Sequence, residues 1–198
     1  MIYFAVRDRN WNTIPGTIQA EKIFRAEDSF TIRYAFHVAA GEIQMHWEVA
    51  IEGLPDGTIS YAVLGMALST FPKNRLGICV LHPVEGVAGQ PCRITHPTGE
   101  HIEAHFPEYI SPHQPFKSIC SMQWTSVRKE SFRLDFEGEM FETEDQRNWT
   151  DASFKTYGTP LELPFPVEIR SGTQVEQKVI FRVEGLVPVM ASDPESIR

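Results

Sequence analysis

Alternation of apolar and polar residues constrains this chain more than any other feature of its sequence. Between residues 30 and 38 every even-numbered position is apolar or aromatic, and polar residues fill three of the four positions between them. A period of two is that of a β-strand with one buried face. The pattern returns in residues 45–51 and, after the turn Pro55-Asp56-Gly57, in residues 59–63. The sequence therefore predicts three neighbouring antiparallel strands.

Shorter alternating segments extend this interpretation to the rest of the chain. They occupy residues 102–106, 132–136 and 175–183, and turn-forming residues bound each of them. No long amphipathic helix is evident, because 14 prolines and 13 glycines interrupt most windows in which one could start. Many short strands are typical of a sandwich or a barrel. We expect an all-β fold, an antiparallel β-sandwich with little or no helix.

Two segments lack this alternation and are expected to be irregular. They are residues 69–89 and 107–116, each of which contains several prolines or glycines. Long irregular connections on a β scaffold often carry binding residues. We expect one sandwich domain over residues 1–190 and a disordered polar tail over residues 191–198.

Composition excludes several classes of partner. The formal net charge of -8 and the pI near 5.4 disfavour binding to nucleic acid or to an anionic membrane, and they leave a small neutral or cationic ligand open. No apolar run is long enough to span a bilayer. The three cysteines show no CxxC spacing, so we expect buried thiols in a cytoplasmic protein.

The densest polar run extends from residue 144 to residue 157. Carboxylates, an arginine, amides and an indole together suit a polyhydroxylated ligand, which offers hydroxyl groups for hydrogen bonds and an apolar face for stacking. A charged surface turn with a satisfied ion pair is the alternative. The candidate residues of this run are Glu144, Asp145, Gln146, Arg147, Asn148, Trp149, Asp151, Lys155 and Tyr157.

Two histidines next to prolines complete the set of candidates. His82 and His113 could each act as a general acid near neutral pH, although a structural role is the alternative for both. The predicted catalytic residues are Glu144, Asp145, Arg147, His113 and His82, and the other residues of the run are predicted to bind the ligand. No cofactor and no metal ion are expected, since the chain contains no HExxH, P-loop, GxGxxG or GxSxG motif.

Residues 141–157, FETEDQRNWTDASFKTY, resemble a signature of the D-apionate lactonase family of sugar-acid catabolism. Residues 81–89 and 110–116 resemble further blocks of that family in the same order. The resemblance implies a hydrolase that opens a branched sugar lactone to its acid, built from a β-rich amino-terminal region and a later barrel-like domain. We expect this chain to correspond to the β-rich region and to lack the barrel-like domain.

Three functional hypotheses follow. In lactone hydrolysis, Glu144, Asp145 or a histidine deprotonates water while Arg147 or His113 stabilises charge on the carbonyl oxygen. A sugar epimerase on a supersandwich of the galactose-mutarotase type would use the same kinds of residue. A sandwich that only binds sugar, or docks against the missing barrel-like domain, would need no chemistry. An exposed sheet edge makes a homodimer a further expectation.

Overall fold

The fold is almost entirely β-structure. The computed structural model describes residues 1–185, so the last residues of the expected domain and the expected tail lie outside the described residues. The helical elements among residues 1–185 are α1 (Val84–Val87) and a 3-10 turn (Gln146–Trp149), and neither is long enough to cross a lipid bilayer. The strands are β1 (Ile2–Asp8), β2 (Gly16–Arg25), β3 (Phe30–Ala40), β4 (Ile43–Gly53), β5 (Ile59–Ala67), β6 (Phe71–Pro83), β7 (Pro91–Thr95), β8 (His101–His105), β9 (Phe116–Ile119), β10 (Ser121–Thr125), β11 (Ser131–Glu137), β12 (Phe141–Asp145), β13 (Ser153–Gly158), β14 (Val167–Ile169) and β15 (Gln174–Glu184).

These strands form two antiparallel sheets. Sheet A has the order β1-β6-β13-β12-β9, and β14 also pairs with β6. Sheet B has nine strands in the order β2-β3-β4-β5-β15-β11-β10-β7-β8. The antiparallel all-β sandwich expected from the alternation is confirmed, with the three strands from residue 30 onward as neighbours in sheet B.

The core lies between the two sheets. On β4, Ile43, Met45, Trp47 and Val49 are buried, whereas Gln44 and Glu48 between them are exposed. The buried side chains of sheet A that meet them include Val6, Leu76 and Ile78. Burying one such side chain stabilises the fold by about 1.5–3 kcal/mol. The alternating pattern therefore decides which face of each strand points inward and which face remains for function.

Strand β6 is where the structure differs from the prediction of an irregular segment over residues 69–89. It has 13 residues and pairs with both β1 and β13 near the middle of sheet A. Its core-facing residues Leu76, Ile78 and Val80 are apolar, and Gly77 and Cys79 on the other face are small or weakly polar. Because most of β6 is covered on both faces, the sequence loses the alternation by which a half-buried strand is detected. The second segment is a loop between β8 and β9, as expected.

A buried glutamine joins the two sheets beneath β6. Gln177 of β15 is 1% exposed; its Oε1 accepts a hydrogen bond from the Ile78 amide at 2.7 Å, and its Nε2 donates to Glu139 Oε2 at 2.6 Å. The backbone of Gly77 has a φ of +144°, and a Cβ at this position would lie 2.2 Å from Gln177 Oε1. Glycine is therefore required where β6 passes over this amide.

Candidate functional site

The outer face of sheet A, turned away from the core, carries a cleft of about 680 Å³. Strand alternation produces it, because β1 sends Val6 into the core and Ala5 and Arg7 to the opposite face. The segment after β1, the 3-10 turn and the loop after β13 form its walls. We call it the outer cleft and define it by its polar and aromatic lining residues Arg7, Trp11, Arg75, Glu144, Gln146, Trp149, Lys155, Tyr157 and Phe165.

Strands β12 and β13 place carboxylates directly opposite cleft residues. In their antiparallel register Glu144 lies opposite Lys155, and Glu142 lies opposite Tyr157. Residues two apart on a strand share a face, so all four side chains project from the outer face of sheet A. The register therefore gathers two acids, an ammonium group and a phenol within one small area.

A buried chain of hydrogen bonds lies on one side of the outer cleft. Arg75 Nη2 donates to the Tyr157 hydroxyl at 2.8 Å, and that hydroxyl donates to Glu142 Oε1. The Arg75 guanidinium also stacks on the Tyr157 ring, 3.6 Å from its centroid. Burial raises the pKa of Tyr157 above its ordinary value, so the phenol stays protonated and can donate a hydrogen bond. Arg75 and Glu142 are only 9% and 1% exposed, so they form a desolvated pair.

A second group of contacts surrounds Glu144. Its Oε1 accepts a hydrogen bond from Trp149 Nε1 at 2.9 Å, and its Oε2 lies 3.4 Å from Lys155 Nζ. The same ammonium group donates to Gln146 Oε1 at 3.0 Å. Burial lowers the pKa of Lys155, and the nearby charge of Glu144 opposes that shift. Lys155 is therefore a stronger acid than an ordinary surface lysine.

Several buried polar atoms at this site have no hydrogen-bond partner among the described residues. They are Arg75 Nε, Gln146 Nε2 and Glu142 Oε2. A buried polar atom without a partner costs about 1–3 kcal/mol. Such atoms are expected where a ligand supplies the missing partner, and two of these three are donors.

Three predicted site residues lie outside the outer cleft and hold a loop in place. Arg147 donates to both carboxylate oxygens of the fully buried Asp145 at 2.9 and 2.8 Å, and to backbone carbonyls of Pro107, Glu108 and Tyr109. Burial alone would raise the pKa of Asp145, but the hydrogen bonds from Arg147 and from the Ser111 amide hold it below its ordinary value. Asn148 adds a bond to the Ser111 carbonyl at 2.6 Å. We call Asp145, Arg147 and Asn148 the tether.

The remaining predicted residues are also elsewhere. His82 faces the core, where its Nε2 lies 2.9 Å from Thr156 Oγ1, and burial lowers its pKa to about 3. His113 is exposed on the tethered loop. Asp151 accepts a hydrogen bond from the Ser153 hydroxyl at 3.1 Å in the turn before β13. The structure thus brings together Glu144, Gln146, Trp149, Lys155 and Tyr157, and separates the other six predicted residues from them.

Sequence reasoning missed Arg7, Trp11, Arg75 and Phe165 of the outer cleft and the neighbouring Glu142. Glu142 could have been found, because it lies two residues before Glu144 on a strand and must share its face. Arg75 lies in the segment expected to be irregular, and no local signal connects it to residues about 70–80 positions later in the chain. Within residues 1–185, no three histidine, cysteine or carboxylate side chains are grouped so that they could hold a metal ion.

Comparisons with known proteins show a sequence family and a shared fold. The family model described as D-apionate lactonase, N-terminal domain, matches residues 1–186. The D-apionate lactonase of Brucella anthropi is 32% identical over 202 residues, which cover 99% of this chain and 33% of that relative. The chain therefore spans about a third of the length of this curated relative.

Solved structures share the fold at low sequence identity. The GH36 α-galactosidase AgaA of Geobacillus stearothermophilus aligns over 91% of this chain and 29% of its own, with 11% identity and a TM-score of 0.58. The galactosidase domain of an α-galactosidase-sucrose kinase covers the same shares, with 10% identity and a TM-score of 0.50. Proteins related to aldose epimerases and galactose mutarotase align at TM-scores of 0.49 and below, a similarity too weak to bear on function.

Proposed function

Because the chain belongs to the D-apionate lactonase N-terminal domain family, we propose that it acts as part of a sugar-lactone hydrolase and that the lactone binds in the outer cleft. The observation that carries this proposal is the set of buried, incompletely paired polar groups beside exposed aromatic rings. Trp149 is 70% exposed at the rim, and Trp11 and Phe165 pack edge to face at 5.3 Å. Aromatic rings stack on the apolar face of a sugar, and fixed polar groups orient it.

The same residues can supply the chemistry of lactone opening. Glu144 accepts a proton from water as the water oxygen attacks the lactone carbonyl carbon. Arg75 and Lys155 stabilise the negative charge that develops on the carbonyl oxygen. The bond between the carbonyl carbon and the ring oxygen then breaks. The ammonium group of Lys155, whose pKa is lowered by burial, donates a proton to the departing ring oxygen. The product is an open-chain hydroxy acid.

This assignment uses a different set of residues from the sequence hypothesis. Arg147 has its donors occupied by Asp145 and by loop carbonyls, and His82 is sealed in the core. Glu144 remains the proposed base, while Arg75 and Lys155 replace Arg147 and His113 as the groups that stabilise charge. The catalytic roles predicted for Asp145, Arg147, His82 and His113 stay predictions that the proposal does not need.

A second candidate function is recognition of the lactone without catalysis. The observation that favours it is length, since this chain corresponds to only 33% of the curated relative. In this second candidate, the groups that react with the lactone belong to the part of a full-length relative that this chain does not match. The outer cleft would position the ligand for those groups.

Proton release from a panel of aldonolactones tests the first proposal. We expect the purified chain to hydrolyse at least one of them, and Glu144→Gln to reduce kcat about 100-fold or more, in line with the loss of a general base. Glu48→Gln makes the same change at an exposed position of sheet B and serves as the matched control. Equal hydrolysis by both variants would refute the role of Glu144. Lactone binding without hydrolysis by the unaltered chain would replace the first candidate with the second.

A further inference from the structure

We propose that the outer cleft selects ligands with one carboxylate group, and therefore holds the open-chain sugar acid more tightly than a neutral sugar of the same size. This inference rests on the proposed function, because it concerns the same cleft. It adds the charge and the chemical class of the ligand. It also reverses the expectation, drawn from the charge of the whole chain, that a small ligand would be neutral or cationic.

The local charge of the outer cleft is opposite to that of the protein. Arg7, Arg75 and Lys155 line it, and the acid among its lining residues is Glu144. Counting Glu142, which lies 3.8 Å from Arg75 and behind it, three cations face two carboxylates and leave one positive charge in excess. The whole chain carries a formal net charge of -8. Charges in a partly desolvated cleft act more strongly on a ligand than distant surface charges, which water and salt screen.

The unpartnered donors specify an oxygen-rich group. Arg75 is more than nine-tenths buried, its Nη2 is engaged by Tyr157, and its Nε has no acceptor. Gln146 Nε2 is likewise buried and free, because the oxygen of that amide faces Lys155. A carboxylate offers two oxygens with about four lone-pair sites, which suits donors from an arginine, an amide and an ammonium group.

The remaining groups specify hydroxyls and limit the ligand to one acid. Glu144 can accept hydrogen bonds, so it suits hydroxyl groups on the rest of the ligand. It would also repel a second carboxylate placed beside it. Trp149 and Trp11 offer apolar surface to the carbon chain. The class that meets these conditions is a polyhydroxylated monocarboxylate.

Isothermal titration with matched ligands tests this inference. The probes are D-gluconate, its neutral analogue D-gluconamide, D-glucitol and propionate. We expect D-gluconate to bind at least tenfold more tightly than D-gluconamide and D-glucitol, and more tightly than propionate, which lacks hydroxyls. Rising salt should weaken the binding of D-gluconate more than that of D-gluconamide.

Variants assign the effect to the outer cleft. Arg75→Met and Lys155→Met should each weaken the binding of D-gluconate at least tenfold and should change the binding of D-gluconamide little. Arg33→Met removes the same charge from an exposed position of sheet B and should leave both affinities unchanged. Circular dichroism checks that each variant is folded. If Arg75→Met does not fold, Lys155→Met, which leaves the buried Arg75 chain intact, carries the test.

The outcomes separate this inference from the proposed function. Equal affinities for D-gluconate and D-gluconamide, both reduced by Trp149→Ala, would overturn charge selection and leave lactone binding in the outer cleft intact. Tight D-gluconate binding that persists in both Arg75→Met and Lys155→Met would place the acid elsewhere and overturn the inference. Absence of binding by any probe would overturn it as well. Lactone hydrolysis that Glu144→Gln does not reduce would count only against the proposed chemistry.

Discussion

Two arginines on opposite sides of the same polar run behave in contrasting ways. Arg147 makes hydrogen bonds through Nε, Nη1 and Nη2, all of them to Asp145 or to loop carbonyls. Arg75 makes one side-chain hydrogen bond, to Tyr157, and keeps a buried Nε without a partner. Its nearest carboxylate contacts are long, 3.8 Å to Glu142 and 3.9 Å to Glu144. The tether is thus closed within the fold, whereas the outer cleft is open to a ligand.

Strand geometry explains why neighbours in sequence serve such different ends. On β12 successive side chains point to opposite faces, so Asp145 is fully buried while Glu144 projects into the outer cleft. The 3-10 turn repeats the division, since Gln146 lines the outer cleft and Arg147 turns toward the loop. A cluster of charged residues in a sequence is therefore not one site. Hydrogen-bond completeness distinguishes its structural members from those available to a ligand.

The largest expected effect on stability follows from breaking the tether. Arg147→Met leaves the carboxylate of Asp145 buried without its cation, and we expect the free energy of unfolding to fall by about 3–5 kcal/mol. Urea unfolding measures it. Arg33→Met is the control, because its exposed pair with Glu52 is 3.9 Å apart and should contribute less than about 1 kcal/mol. A loss below about 1 kcal/mol for Arg147→Met would show that the tether does not stabilise the fold.

A smaller effect concerns the buried, uncharged His82 and appears only in acid. Its folded pKa of about 3 lies below the ordinary value near 6.5, so the unfolded chain takes up a proton in this interval and the folded chain does not. Stability should be fully present above pH 6.5 and should fall as the pH drops toward 3, by about 2 kcal/mol between pH 6 and pH 4.5 at about 1.4 kcal/mol per pH unit. His82→Gln should remove this slope between pH 6 and 4.5.

The matched control is His113→Gln, since His113 is exposed. This variant should retain the pH dependence of the unaltered chain in urea unfolding at each pH. Working above pH 4.5 separates His82 from Asp145, whose lowered pKa affects stability only in stronger acid. An unchanged slope in His82→Gln would mean that the imidazole is protonated within the fold.

The smallest expected change in stability comes from substituting Arg75 in the outer cleft, and it sharpens the comparison of the two arginines. Arg75→Met should cost about 1–2 kcal/mol, because it removes one hydrogen bond and two long ion pairs, while Glu142 keeps its hydrogen bonds from the Tyr157 hydroxyl and the Leu161 amide. Thermal unfolding alongside Arg147→Met gives the comparison directly. A loss as large as that of Arg147→Met would show that Arg75 is mainly structural and would weaken the case for a ligand.

Six strands of sheet B could be predicted from sequence, because apolar residues alternate with polar ones along them; they are β3, β4, β5, β8, β11 and β15. Trp47 and Val49 alternate with polar neighbours, and the structure follows that alternation. Strand β6 could not be found in this way, because both faces of the strand are covered along much of its length. Pro72 and Pro83 also suggested a loop, yet they lie at the two ends of the strand.

The candidate site was predictable only in part, for a related reason. The concentration of polar residues in the sequence predicts a site in the run that contains Glu144, Lys155 and Tyr157, and these three side chains do line one cleft. The concentration of polar residues does not reveal that Asp145 and Arg147 pair with each other, since that depends on which face of β12 is buried. Arg75 reaches the site through pairing of strands far apart in sequence.

The bond from Gln177 to the Ile78 amide has a consequence for how the protein is made. It joins residues 99 positions apart, and the Gly77 that it supports forms part of the floor of the outer cleft. During synthesis on the ribosome, β6 emerges long before β15 does, and the polar run emerges shortly before it. Contacts of such long separation form late. A nascent chain that still lacks β15 would contain every polar residue of the outer cleft and yet bind ligand poorly, so ligand should protect the protein only after translation has passed Gln177.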